Sequence, residues 1–191
     1  MGQPHDFGRL FGVVPQEMLT DCLRSGSCNT CMWDDIMATG VWVFEDPAAV
    51  DQGDPCNPEP DPTVGFRAQD LVSWTEQLPG VRVLDRRTVK VGDVEGLPLR
   101  ISVDPAGTAT CPDWHEPGVA LFTERHPHRT LTNHEFATAW FTGDATSSWF
   151  VFADVDVAHT VGIHIVDADE SELDGLLVES LPIIGSLTFA F

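Results

Sequence analysis

The fold is decided by residues 147–191, which read SSWFVFADVDVAHTVGIHIVDADESELDGLLVESLPIIGSLTFAF. Two β-type runs, 149–155 and 159–166, are separated by a short polar turn, as in a β-hairpin. An acidic segment then opens an amphipathic helix at about 171–181, which the following proline is expected to end. Residues 186–191 return to a strand pattern. This order predicts a piece of antiparallel sheet with its covering helix.

The sequence upstream of this stretch supplies the other elements of the same sheet. Trp140 and Trp149 begin two aromatic pairs that bracket a polar turn, which indicates a second hairpin. The apolar face of 66–78 predicts a helix that ends at the Pro-Gly pair after it. Alternating aromatic and β-branched residues, or short β-branched runs, predict strands at 40–44, 81–84, 87–91, 97–103 and 119–123.

These elements predict an α+β fold: an antiparallel sheet of about six strands with two helices packed on it. The length of 191 residues suits a single domain, 1–191. Within it, 40–191 form the α+β core, and 1–39 are a cysteine-containing N-terminal segment without a clear secondary-structure pattern.

The composition limits the partners of the chain. Ten basic and 30 acidic residues give a formal net charge of −20, a field that repels nucleic acid and anionic lipid. No apolar run approaches the ~18 residues of a membrane span, so we expect no direct membrane insertion by this chain. With 42% hydrophobic residues and six tryptophans, the chain is able to build a sizeable core.

Five cysteines point to an oxidising compartment. They lie in surroundings rich in Gly, Pro, Asp or Ser, where disulfides are common and buried core cysteines are rare; they are Cys22, Cys28, Cys31, Cys56 and Cys111. The first residues have neither a basic nor an apolar signal region, which taken alone favours the cytoplasm. We predict an extracytoplasmic protein, secreted or membrane-anchored, whose export signal is absent from this chain.

The spacing of Cys28 and Cys31 also fits zinc binding or thiol redox chemistry. A zinc site needs a second pair of ligands, and no second Cys-x-x-Cys is present. A thioredoxin-like site needs a buried strand before the motif, whereas Arg-Ser-Gly-Ser precedes Cys28. The favoured reading is a loop disulfide from Cys22 to Cys28 or Cys31.

A polar loop is the strongest candidate for a metal site. It contains His126, His128 and His134, with His115 and Glu135 nearby, and these side chains could bind a metal or act as a general-base pair. The hallmark spacings of zinc hydrolases and deaminases are missing, and histidines in a polar loop are usually solvated. A Ser-His-Asp hydrolase stays open, because triads are defined by geometry, but nothing here points to one.

Two further features have a ligand-binding reading. Trp42, Trp140 and Trp149 could line an apolar ligand groove, although such dense aromatics also build cores. Acidic residues at 46, 51 and 54 could bind Ca²⁺, but their spacing matches no EF-hand loop. His164, on a strand face, reads as a structural residue rather than a catalyst.

Four segments resemble a known family: QDLVSW at 69–74, TVKVGDVEGLPLRI at 88–101, FADVDVAHTVGI at 152–163 and DESELDGLLVESLPIIGSLTF at 169–189. The pattern resembles an actinobacterial extracytoplasmic domain of unknown function, found in exported lipoproteins and in ectodomains behind one membrane helix. The resemblance covers about 40–191 and implies a PsbP/Mog1-like sheet-and-helix architecture. It also implies a disulfide between Cys56 and Cys111, and no catalytic residues carry over from it.

These observations predict a non-enzymatic extracytoplasmic module that binds, senses or assists in a cell-envelope or secreted system. Its partner would be a protein or a small ligand of the cell envelope, and no cofactor is expected. The first alternative is a metal-binding protein or metal-dependent enzyme using His126, His128 and His134. A weaker alternative is a thiol redox protein using Cys28 and Cys31.

Overall fold

A computed structural model places the predicted elements in space. The structure describes residues 40–54, 56, 59–104, 109–110, 118–124, 140–142, 147–167 and 169–189. Within these ranges there are ten strands: β1 (Gly40–Glu45), β2 (Pro47–Ala49), β3 (Val81–Asp85), β4 (Val89–Val91), β5 (Val94–Val103), β6 (Gly118–Ala120), β7 (Phe122–Glu124), β8 (Trp140–Thr142), β9 (Ser147–Asp154) and β10 (Thr160–Val166). The two described helices are α1 (Ala68–Thr75) and α2 (Leu173–Ile184).

The main sheet is antiparallel and six-stranded, in the order β1-β10-β9-β5-β3, with β4 beside the first half of β5. Two small two-stranded sheets, β2–β7 and β6–β8, complete the described strands. The predicted α+β class, with a sheet of about six strands and two helices, is confirmed.

Each face of the main sheet carries one helix and one apolar core. Leu71 and Val72 of α1 pack with Phe150 and Phe152 on the first face, which we call the α1 face. The other face, which we call the α2 face, is covered by α2 and contains Trp149 of β9. Successive side chains of a strand point to opposite faces, so the neighbours Trp149 and Phe150 belong to different cores.

A carboxylate at the end of β9 attaches α1 to the sheet. Asp154 Oδ1 accepts the Ala68 N–H at 2.9 Å and the Thr160 hydroxyl at 2.8 Å, while Asp154 Oδ2 lies 3.2 Å from the Arg67 guanidinium. An acceptor for a first-turn N–H group satisfies a donor that has no partner inside the helix. One side chain therefore links the start of α1, β9 and β10.

Three local predictions were wrong. The second helix continues through Pro182 to Ile184, because a proline in the last turn removes only one hydrogen bond before Gly185 ends the helix. Residues 186–189 form no strand; Leu187 and Phe189 instead pack against the α2-side core without joining a ladder. The hairpin expected between Trp140 and Trp149 does not form, since β8 pairs with β6 while both edges of β9 are taken by β5 and β10.

No helix among the described residues is long and apolar enough to cross a membrane.

Candidate functional site

The predicted tryptophan groove is not assembled by this sheet. In the ladder, Trp42 of β1 is opposite His164 of β10, whereas Trp149 of β9 is opposite Ile165. His164 and Ile165 are successive residues, so Trp42 and Trp149 point to opposite faces of the sheet. Trp149 is also fully buried and its indole N–H donates to Asp174, which makes it a core residue. Trp140 lies in β8, and its side chain lies outside the described residues.

The other predicted site residues lie mostly outside what the structure describes. His115, His126, His128 and His134 belong to this group, as do Cys22, Cys28, Cys31 and Cys111. Cys56 is described and is disulfide-bonded. Because the other four cysteines all lie outside the described residues, the pairing of Cys56 with Cys111 stays a prediction. The metal-site and redox readings stay predictions as well.

His164 is a core residue of the α1 face. Its ring stacks on Phe150 of the neighbouring strand, with centroids 4.3 Å apart and an interplanar angle of 5°. Burial lowers the pKa of His164 to about 3, because the apolar surroundings disfavour the charged imidazolium. This histidine is therefore neutral at physiological pH, and its burial keeps it from acting as a surface acid or base.

A polar network connects the sheet to the start of α2. Arg100 Nη1 lies 3.1 Å from Asp174 Oδ2, and the Trp149 indole donates to Asp174 Oδ1 at 3.2 Å. The Ser147 hydroxyl donates to Glu170 Oε1 at 2.6 Å. The serine is 1% exposed, so a substrate could not reach its hydroxyl in this conformation. The network positions α2 on the sheet and has the geometry of a structural bridge rather than of a nucleophile and its base.

A tight corner marks the point where the chain leaves the main sheet after β1. Asp46 has a φ of 45°, in the left-handed region that non-glycine residues rarely adopt. Its N–H donates to the Thr160 carbonyl at 2.8 Å, and its Oδ1 accepts the Thr160 N–H at 3.0 Å. Its Oδ2 lies 3.0 Å from His159 Nδ1. These bonds secure β1 to the turn between β9 and β10.

The same corner holds the one group of three possible metal ligands among the described residues. Glu45, Asp46 and His159 each offer a ligand atom within 4.8 Å of the others. Both oxygens of Asp46 already take part in the hydrogen bonds that hold the corner, so the turn itself explains the grouping. The acids at 51 and 54, which with Asp46 were the possible but disfavoured Ca²⁺ ligands, do not join this group in the described residues.

The outer edge of β1 is the feature that sequence reasoning missed. All six residues of β1 pair with β10 without a register shift, and no described residue pairs with its other side. In an antiparallel pair, alternate residues direct their N–H and C=O groups away from the partner strand. Trp42, Val43 and Phe44 are half-buried and Glu45 is exposed, so this part of the strand reaches the surface. We call the unpaired side of residues 40–45 the β1 edge.

Charge divides the main sheet into two halves. Strands β1, β10 and β9 contain no lysine or arginine. All described lysines and arginines except Arg67 lie in or next to β3, β4 and β5: Arg82, Arg86, Arg87, Lys90 and Arg100. Arg67 itself pairs with Asp154. The half of the sheet that ends in β1 therefore has only acidic side chains as formal charges.

Neither a protein-family model nor a curated protein matches this sequence. The resemblance to the actinobacterial extracytoplasmic family stays a prediction that rests on the quoted segments.

Proposed function

We propose that the protein is a non-enzymatic extracytoplasmic module that binds, senses or assists in a cell-envelope or secreted system, by contacting a protein partner. The observation that carries this proposal is the β1 edge, an apolar strand side at the margin of a regular sheet that pairs with no other described residue. Sheet edges are common binding surfaces, because an added strand satisfies the backbone groups that the edge leaves open.

The described polar groups support a binding role over a catalytic one. The Arg100–Asp174 pair and the Ser147–Glu170 bond attach α2, and the corner at Asp46 attaches β1. Each of these groups has a structural partner within hydrogen-bond distance. A catalytic reading would need a nucleophile beside a base at an accessible position, which the described residues do not supply.

The extracytoplasmic part of the proposal is supported by the disulfide at Cys56. Stable disulfides persist in oxidising compartments and are rare in the reducing cytosol. Five cysteines allow two bridges with one thiol left over.

The test is the intact mass of the natively produced protein, with and without reductant, together with elemental analysis for metals. We expect two disulfides, one free thiol and no stoichiometric metal. Stoichiometric zinc or iron, with Cys28 and Cys31 reduced, would contradict the proposal. In that case the loop with His126, His128 and His134 becomes the place to mutate.

A further inference from the structure

We infer that the β1 edge is a strand-addition site for an extended segment of a partner protein, with an apolar core of about six residues and basic residues at its ends. This inference rests on the proposed binding function and names the partner class for it.

The backbone of β1 is prepared to accept another strand. It is six residues long and its register with β10 runs unbroken from Gly40–Val166 to Glu45–Val161. Among the described residues, neither a strand nor a turn donates to the outer side of β1 or accepts from it. In a regular edge strand of this length, about three residues direct their N–H and C=O groups outward.

The side chains of β1 set the chemistry of the incoming core. Val41 and Val43 lie on the α2 face, and Phe44 belongs to the core of the α1 face. Trp42 is on the same face as Phe44 because the two residues are two apart. An added strand would therefore have apolar neighbours on both of its faces, which favours β-branched or apolar residues throughout its core.

The acidic ends of the edge set the charge of the partner. Glu45 is exposed at one end of β1, beside Asp46, and Asp167 follows the residue that pairs with Gly40 at the other end. No lysine or arginine occurs in the three strands nearest this edge. A segment with lysine or arginine on both sides of its core would meet opposite charge at both ends, which favours it over neutral or acidic segments.

The same charge argues against a second copy of this chain as the occupant. Two molecules of net charge −20 that met through their β1 edges would bring their acidic halves together. A self-associated dimer is the competing outcome, and the experiment must be able to reveal it.

The probe is a labelled synthetic peptide with six alternating valines and threonines, flanked by two lysines at each end and titrated with the full chain. We expect saturable binding tighter than ~1 mM that weakens as salt is added. The same core flanked by glutamates should bind at least about tenfold more weakly. A peptide that is N-methylated at every core residue cannot donate to a strand ladder and should lose binding altogether.

Two variants of the protein place the peptide on β1. Glu45→Arg reverses an exposed charge at the edge and should weaken binding by roughly threefold to tenfold. Glu179→Arg makes the same change on the exposed side of α2 and should alter binding by less than about twofold. Circular dichroism of both variants checks that the fold is kept.

Four outcomes would overturn the inference: no saturable binding up to ~1 mM, equal binding of the N-methylated peptide, equal weakening by the two variants, or a dimer in sedimentation equilibrium of the peptide-free protein. The disulfide and metal measurements are independent of this titration. A chain with the expected bridges and no metal that does not bind the peptide would refute the strand-addition site. The extracytoplasmic part of the proposed function, which rests on the disulfide at Cys56, would stand.

Discussion

The two margins of the main sheet differ in the regularity of their register and in their charged side chains, two properties that govern strand pairing. The strand β1 is regular, has no basic residue and carries Glu45 as its one charged side chain. At the opposite margin, β3 has a register shift between Val83 and Asp85, and arginines lie in and directly after it. Bulges and charged side chains are the devices by which proteins protect an edge from unwanted pairing. Within the described residues, the comparison indicates that β3 is protected against strand addition and that β1 is available for it.

The two margins are also stabilised differently. Near β1, Asp46 is 14% exposed and makes three hydrogen bonds, and the buried His164 stacks on Phe150. At β3, Asp85 pairs with Arg87, and their side chains are 36% and 52% exposed. Exposed ion pairs contribute little to stability, whereas buried, fully bonded polar groups are costly to disrupt. Mutations should therefore have strong effects at the β1 corner and weak effects at β3.

The largest effect is expected at Asp46. Asp46→Ala removes the acceptors for Thr160 and His159 and leaves an alanine at a φ of 45°. The loss of charge-assisted bonds and the backbone strain together should lower the free energy of unfolding by about 3 kcal/mol in urea denaturation.

Asp85→Ala is the matched change at the other margin and should have a small effect, because the carboxylate and its arginine partner are both solvated. Asp46→Asn should restore much of the loss, since asparagine tolerates the left-handed region and keeps an acceptor oxygen. Equal destabilisation by Asp46→Ala and Asp85→Ala would refute the predicted difference between the corner at Asp46 and the β3 margin.

The next largest effect is the pH dependence of the β1 half. The pKa of His164 is about 3 in the fold and near 6.5 in the unfolded chain, so the unfolded state binds a proton first as pH falls. The contribution of His164 to the free energy of unfolding is fully present above pH 6.5. Below that pH the free energy of unfolding should fall by up to about 1.4 kcal/mol per pH unit, or roughly 2 kcal/mol by pH 5.

His164→Phe keeps a ring against Phe150 and removes the titrating group. The variant should lose this slope between pH 6.5 and 5, because the remaining histidines are the same in both proteins. At the β3 margin, the hydrogen bond from Arg87 lowers the pKa of Asp85 below its ordinary 3.8, so its contribution declines only at more acidic pH. Identical slopes in the native protein and the variant would show that His164 is not the source.

The smallest effect is expected at Arg87. This side chain pairs with Asp85 and lies over the Trp149 ring, with its guanidinium carbon 5.4 Å from the ring centroid. Arg87→Ala should lower the Tm by no more than about 3 °C, and added salt should reduce the difference from the native protein. A larger drop that persists in high salt would mean that β3 depends on this arginine as strongly as β1 depends on Asp46.

Local patterns predicted the elements better than their arrangement. The runs 149–155 and 159–166 are β-type and flank a short polar turn, so the sequence predicted the hairpin of β9 and β10 directly. The sequence predicted that Pro182 ends α2, but the helix continues to Ile184. A proline is tolerated in the last turn of a helix, and which turn is the last depends on the cap, here Gly185. The predicted final strand does not form over residues 186–189, because Leu187 and Phe189 pack against the core instead of pairing with another strand.

The candidate site could not be predicted because it depends on pairing between distant segments. The run at 40–44 was read correctly as a strand, but its place at the margin follows from its pairing with β10, more than a hundred residues later. That register also separates Trp42 from Trp149, which the one-dimensional pattern had grouped in one groove. The uneven distribution of arginines along the chain was the one available signal, and it acquires meaning only with the strand order.

The most direct test of the account is amide hydrogen exchange of the two margins with and without the lysine-flanked valine–threonine peptide. A strand added to β1 should slow exchange at alternate amides of residues 40–45, because those N–H groups become donors to the new strand. The amides of β3 should exchange as they do in the free protein. Protection confined to alternate residues of β1 is the predicted result. Equal protection of both margins, or protection of β3 alone, would contradict the claim that β1 is the open edge of this sheet.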